Sequence, residues 1–139
     1  MKQTVPSFLQ SGDTIGISAT ARFATAEPLA IAKRLIESEG LNCYYAPEIS
    51  KQHHQVAGTI TERVQHFNAL IHNPDIKAIW NIRGGYGSAE IVDLVDWDAL
   101  IAQPKWLIGF SDFTTFLCHG VQKGIATLHA PMPISFSTT

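Results

Sequence analysis

The chain has 139 residues, enough for one domain with a substantial core. Its hydrophobic content of 45% belongs to globular proteins, and a net charge of -2 provides no basic field for nucleic acid. No stretch approaches a membrane span, and Met1-Lys2-Gln3-Thr4-Val5-Pro6 lacks a signal-peptide core, so a cytoplasmic protein is expected.

Strand and helix signals alternate from the start. Thr14-Ile15-Gly16-Ile17-Ser18 reads as a strand after the turn Ser11-Gly12-Asp13. A helix is predicted over Pro28–Glu39, with Leu29, Ala32, Leu35 and Ile36 at helical spacing, Pro28 in the first turn and Gly40 as the stop. Residues 41–46 form a second strand ending at Pro47, and residues 48–58 a surface loop. Thr59-Ile60-Thr61-Glu62 is a capping box, opening a helix with Ile60, Val64, Phe67 and Ile71 on its apolar face.

Asn73-Pro74-Asp75 ends that helix, and the apolar run 76–82 suits a buried parallel strand. After Arg83-Gly84-Gly85-Tyr86-Gly87 a helix is predicted from Ser88 to Val95. Residues 106–110 form a strand, 112–123 a helix, and 125–128 a last short strand. The tail 133–139 reads as a chain leaving a domain. Cys43 and Cys118 match no metal or redox spacing and are expected as buried thiols of a reducing compartment. A charged fraction of 16%, against about 25% in ordinary soluble domains, hints that another domain or subunit covers part of the surface.

Successive βα units predict an α/β fold, a parallel sheet flanked by helices on both faces, with its working site beyond the carboxyl ends of the strands. Four segments fall on that edge: the loop after Ser18, Arg83–Gly87, Ser111, and the segment around His129. Gly109-Phe110-Ser111-Asp112 places a serine at a strand-to-helix corner. It half matches a nucleophile elbow, because Phe113 stands where a second small residue would be. An N-cap serine is the competing reading. As the residue after the serine, Asp112 has the natural oxyanion-donor N–H.

Arg83–Gly87 carries three glycines in four positions, which lets backbone N–H groups approach a ligand or simply makes a tight turn. It is neither G-x-G-x-x-G nor a Walker A loop. His66, His72 and His119 are surface or packing residues; His53 and His54 share a loop without supporting metal-ligand spacing. His129 suits a polar role near the pocket, and spacing does not say whether it reaches Ser111.

Five segments occur in one order: Gly12-Asp13-Thr14-Ile15-Gly16-Ile17, Ala57-Gly58-Thr59 with Glu62-Arg63, Ala78 to Gly87, Leu107 to Asp112, and Leu128-His129-Ala130-Pro131-Met132. Together they resemble the amino-terminal half of the LD-carboxypeptidases, serine peptidases that include the microcin C immunity peptidases. The resemblance implies a Rossmann or flavodoxin-like domain spanning 1–139, from a cytoplasmic enzyme that removes the terminal D-alanine of murein tetrapeptide through an acyl-enzyme. It implies Ser111 as nucleophile and Asp112 with Gly84 or Gly85 as backbone oxyanion donors; Arg83, Tyr86 and His129, on the same edge, are candidate substrate contacts. No metal or cofactor is implied. The glutamate and histidine of the triad would come from a carboxyl-terminal domain that this chain lacks, within a homodimeric full-length enzyme, so residues 1–139 alone are expected to be inactive. Ser18-Ala19-Thr20-Ala21-Arg22 departs from the family's usual Ala-Pro-Ser stretch. The alternatives are a small-molecule or anion-binding module without hydrolase activity, an interaction domain without chemistry, and a microcin-type immunity peptidase.

Overall fold

The computed structural model describes residues 2–137. Five parallel strands, β1 (Thr14–Ser18), β2 (Asn42–Tyr44), β3 (Ile76–Asn81), β4 (Trp106–Gly109) and β5 (Leu128–His129), form one sheet in the order β2-β1-β3-β4-β5. Helices α1 (Ala26–Ser38), α2 (Ile60–His72), α3 (Ser88–Ile91), α4 (Trp97–Ala102) and α5 (Thr114–Gln122) make the crossovers. This is the α/β architecture expected from the alternating pattern. The strand order reverses between β1 and β3, and ligands of doubly wound sheets bind where that reversal splays the loops apart.

The sheet divides two cores. On one face, Phe67, Leu70 and Ile71 of α2 pack with Ile79, Leu107, Ile91, Leu100, Phe113 and Phe116. On the other, Leu29, Ala32 and Ile36 of α1 cover Ile15, Ile17, Ala78 and Ile82. Of the five helices, α1 alone serves that second face. A 3-10 turn, Pro133–Phe136, lies against it, with the Ile134 N–H donating to the Ile82 carbonyl at 3.2 Å. The predicted departing tail is therefore seated on the domain through Phe136; Thr138 and Thr139 lie outside the described residues. Trp80, Trp106 and Ile108 on this face are only half-buried, and the indoles anchor through Nε1 to the Pro131 and Ser7 carbonyls.

Local chemistry explains the boundaries. At α2 the Thr59 Oγ1 accepts from the Glu62 N–H at 3.2 Å, and the Glu62 Oε1 accepts from the Thr59 N–H at 3.0 Å. That reciprocal cap contributes about 1 kcal/mol. Gly40 ends α1 in the left-handed region at φ 76°.

Several expectations need correction. The buried face of α2 is Arg63, Phe67, Leu70 and Ile71, with Val64 partly buried and Ile60 exposed. The helix from Ser88 stops at Ile91, and the chain then re-enters α4 under an Asp96 cap that the periodicity did not suggest. The loop 48–58 contains a 3-10 turn over Pro47–Ser50. Ile125 makes only a bridge to Thr4, so the last strand begins at Leu128. Cys43 is partly buried, which pushes its thiol up to about 11, but Cys118 is exposed.

Candidate active site

Strand β4 runs out through Phe110 in extended geometry and turns at Ser111 into a 3-10 turn, Ser111–Phe113, that continues as α5. Ser111 sits in the left-handed region at φ 55°, a conformation that costs an L-residue roughly 1–2 kcal/mol. It is exposed, and among the described residues its hydroxyl has no hydrogen-bond partner. Gly109 permits the corner: a Cβ there would stand 2.7 Å from the Phe113 ring. The Phe113 N–H donates to the Phe110 carbonyl at 3.1 Å and the Thr114 N–H to those of Ser111 and Asp112, which leaves the Asp112 N–H, next to the serine, without a partner among the described residues.

The glycine pair after β3 divides in two directions. A Cβ on Gly84 would meet the Ser111 Oγ at 3.2 Å and the Asp112 nitrogen at 3.7 Å. Gly85, at φ 134°, lies against Arg22 of the loop after β1. Of the two, Gly84 abuts the elbow. Register accounts for this: Trp80 pairs with Ile108, and Arg83 and Ser111 each follow three residues later in the chain, just past the ends of these adjacent parallel strands.

A buried polar network, which spacing along the chain could not reveal, supports both loops. The Asn81 Oδ1 accepts from the Ser18 hydroxyl at 2.9 Å and from the Thr20 hydroxyl at 3.3 Å, while Thr20 and Ser88 share a 2.7 Å contact. The Ser88 N–H in turn donates to the Asp112 carboxylate at 3.0 Å. The Asn81 Nδ2 donates to the Arg83 carbonyl at 2.8 Å. The elbow, the glycine loop and the ends of β1 and β3 are thereby joined.

Arg63 braces the same region from α2. Its side chain is 2% exposed and donates to the carbonyls of Gly58, Thr20 and Gly87 and to the Glu90 carboxylate, all at 3.0–3.1 Å. Gly87, at φ 154°, leaves room for it: a Cβ there would fall 2.8 Å from Nη1. In the sequence Arg63 stood out only through a family likeness, because an arginine at this helical position reads as a solvent-facing residue.

The remaining candidates separate. Arg83 lies beside the elbow with its Nε buried and unpartnered among the described residues; burial, and secondarily the Arg22 cation, hold its guanidinium below the ordinary value. Tyr86 is 92% exposed and stands in solvent. His129 pairs with Gly109 through β5, stacks edge-on against Phe110, and lines a shallow groove with Thr114, Leu117 and Cys118. No histidine among the described residues hydrogen-bonds to Ser111: His72 pairs with Asp96 and His119 faces Asp93. Among the described residues no cluster of three metal-ligating side chains forms.

His66 is a half-buried outlier on α2. Its Nε2 is enclosed without a partner among the described residues, and burial holds its pKa below 6.5 despite the nearby Glu48 carboxylate. Between the folded value and 6.5 the unfolded chain binds more protons. This contribution is therefore intact above pH 6.5 and is lost as pH falls through the folded pKa. His66→Leu is expected to flatten the stability profile between pH 7 and pH 5, as measured by urea melts; parallel profiles for the two proteins would refute the assignment.

Comparison with known proteins adds to the geometry. The LD-carboxypeptidase N-terminal domain family matches residues 15–130. The murein tetrapeptide carboxypeptidase of Pseudomonas aeruginosa is 29% identical over 119 residues, covering 85% of this chain and 39% of that protein. The microcin C7 self-immunity protein MccF of Escherichia coli is 36% identical over 128 residues, covering 88% and 37%. A structure of MccF with aspartyl sulfamoyl adenosine superposes with a TM-score of 0.79 at 34% identity, again over 88% and 37%. The chain thus spans about two fifths of the length of these relatives.

Proposed function

Matched over residues 15–130, the chain belongs to the LD-carboxypeptidase family through its amino-terminal domain, and on that premise we propose that it is the nucleophile-bearing domain of a serine carboxypeptidase acting on murein tetrapeptide. The observation that carries this reading is Ser111, exposed, in the left-handed region, with Gly84 set against its hydroxyl. A strained, exposed serine at a strand-to-helix corner suits attack on a carbonyl.

In this scheme the Ser111 Oγ adds to the carbonyl before the terminal D-alanine, and its proton passes to a general base. The oxyanion forms against the Asp112 N–H and an N–H of the Gly84-Gly85 pair; the approach of Gly84 to Ser111 favours the first of the two. Collapse expels D-alanine, which takes the proton from the base. Water then hydrolyses the acyl-enzyme. The base and its orienting carboxylate are assigned to a histidine and a glutamate in a carboxyl-terminal domain of the complete protein, consistent with the unpaired Ser111 hydroxyl. Arg83, Tyr86 and His129 are assigned to substrate contacts, His129 from an exposed position packed edge-on against Phe110. The complete enzyme is read as a cytoplasmic homodimer; among the described residues no helix is long and apolar enough to cross a membrane.

The test is D-alanine release from tetrapeptide, followed by mass spectrometry. The complete protein carrying this domain is expected to turn over, and residues 1–139 alone to release none. Turnover by residues 1–139, abolished by Ser111→Ala, would show that the base lies within them. A second reading is favoured by one observation: identity to MccF, at 36%, exceeds the 29% to the murein enzyme. An immunity-type peptidase would bind aspartyl sulfamoyl adenosine, the analogue held by MccF, and leave tetrapeptide uncut.

A further inference from the structure

A carboxypeptidase must recognise a free carboxylate one residue beyond the bond it cuts, so a cation is needed close to the nucleophile. Two arginines leave the strand ends on that edge of the sheet. Arg83 follows the end of β3 three residues past Trp80, and Ser111 follows the end of β4 three residues past Ile108, the partner of Trp80. Arg22 leaves the end of β1 and touches Gly85, two residues beyond Arg83. The pair therefore flanks the point where strand order reverses, the place at which such sheets bind ligands.

Neither arginine has an acidic partner among the described residues; Arg22 lies over the Phe23 ring, and the Arg83 Nε is enclosed without an acceptor. A buried guanidinium donor with nothing to donate to is costly unless a ligand completes it. The fork of an arginine fits a carboxylate through two parallel hydrogen bonds. Asn81 fixes the backbone from which Arg83 projects, its Nδ2 donating to the Arg83 carbonyl at 2.8 Å.

We propose that Arg83, with Arg22 beside it, receives the free carboxylate of the substrate's terminal residue and thereby confines cleavage to the last peptide bond. This rests on the carboxypeptidase reading and adds the group that selects the chain end. Arg22 contributes field from the rim, and Arg83 makes the directed contact.

The experiment compares two peptides in the complete protein: tetrapeptide ending in D-alanine, and the same peptide with a carboxamide terminus. The native protein is expected to favour the acid by on the order of 100-fold in kcat/KM. In Arg83→Gln the ratio should collapse toward unity, mostly through KM; Arg83→Lys should recover part of it, and Arg22→Gln should lower it several-fold. Because the ratio is taken within one protein, it does not depend on how much of a variant folds, and exposed Arg22 gives a variant that leaves the core untouched. An unchanged ratio in Arg83→Gln, or a native protein indifferent to the terminal charge, overturns the inference while leaving the peptidase reading intact. Cleavage of neither peptide removes the peptidase reading itself, and the inference with it.

Discussion

Ser111→Ala in the complete protein is expected to lower D-alanine release by at least about 1,000-fold, with KM little changed and the fold intact. The side chain is exposed and makes no hydrogen bond among the described residues, so its removal takes nothing from the core. Ser111→Gly sharpens the test. Glycine relieves the left-handed strain at φ 55° but adds backbone entropy to the unfolded chain, for a net gain of up to about 1 kcal/mol. An inactive variant that melts higher than the native protein would mark Ser111 as a position where stability is given up for chemistry. Retention of activity in either variant would refute the nucleophile assignment.

The second large effect is structural. Arg63→Met is expected to destabilise the domain by about 3–5 kcal/mol, since it leaves the acceptors of Gly58, Thr20 and Gly87 buried without their donor. In a chain of this size that corresponds to a fall in Tm of about 10 °C or more. Little of it comes from the ion pair, because Glu90 is half exposed and such pairs contribute below about 1 kcal/mol. Glu90→Gln is therefore expected to shift Tm by only a few degrees. Arg63→Lys recovers part of the loss, because an ammonium cannot reach four acceptors in one plane. A melting curve of Arg63→Met within about 3 °C of the native one would show that the brace is redundant.

What could be read from the sequence follows from the range of the forces involved. The apolar run of β3 and the capping box before α2 are local signals, and each reads as it folds. The strand-to-helix corner at Ser111 is local too, and a glycine two residues before it is enough to suggest the turn. The short helix α4 escaped because six residues carry too little periodicity, although Asp96 with its bond to the Ala99 N–H was a usable cap signal. Arg63 and Asn81 were illegible for another reason: their roles lie in partners 24–63 positions away, across a sheet whose order no local pattern states. The choice between Gly84 and Gly85 likewise needed the register of β3 on β4.

The bond from the Ser88 N–H to the Asp112 carboxylate has a consequence for anyone wishing to move this corner into another protein. The four letters Gly-Phe-Ser-Asp would carry the bend but not its anchor, since the anchor belongs to a helix start 24 residues upstream, itself held by Thr20. A transplant would have to bring the ends of three neighbouring strands as one piece. The portable unit is a patch of sheet edge, and the serine is only its visible tip.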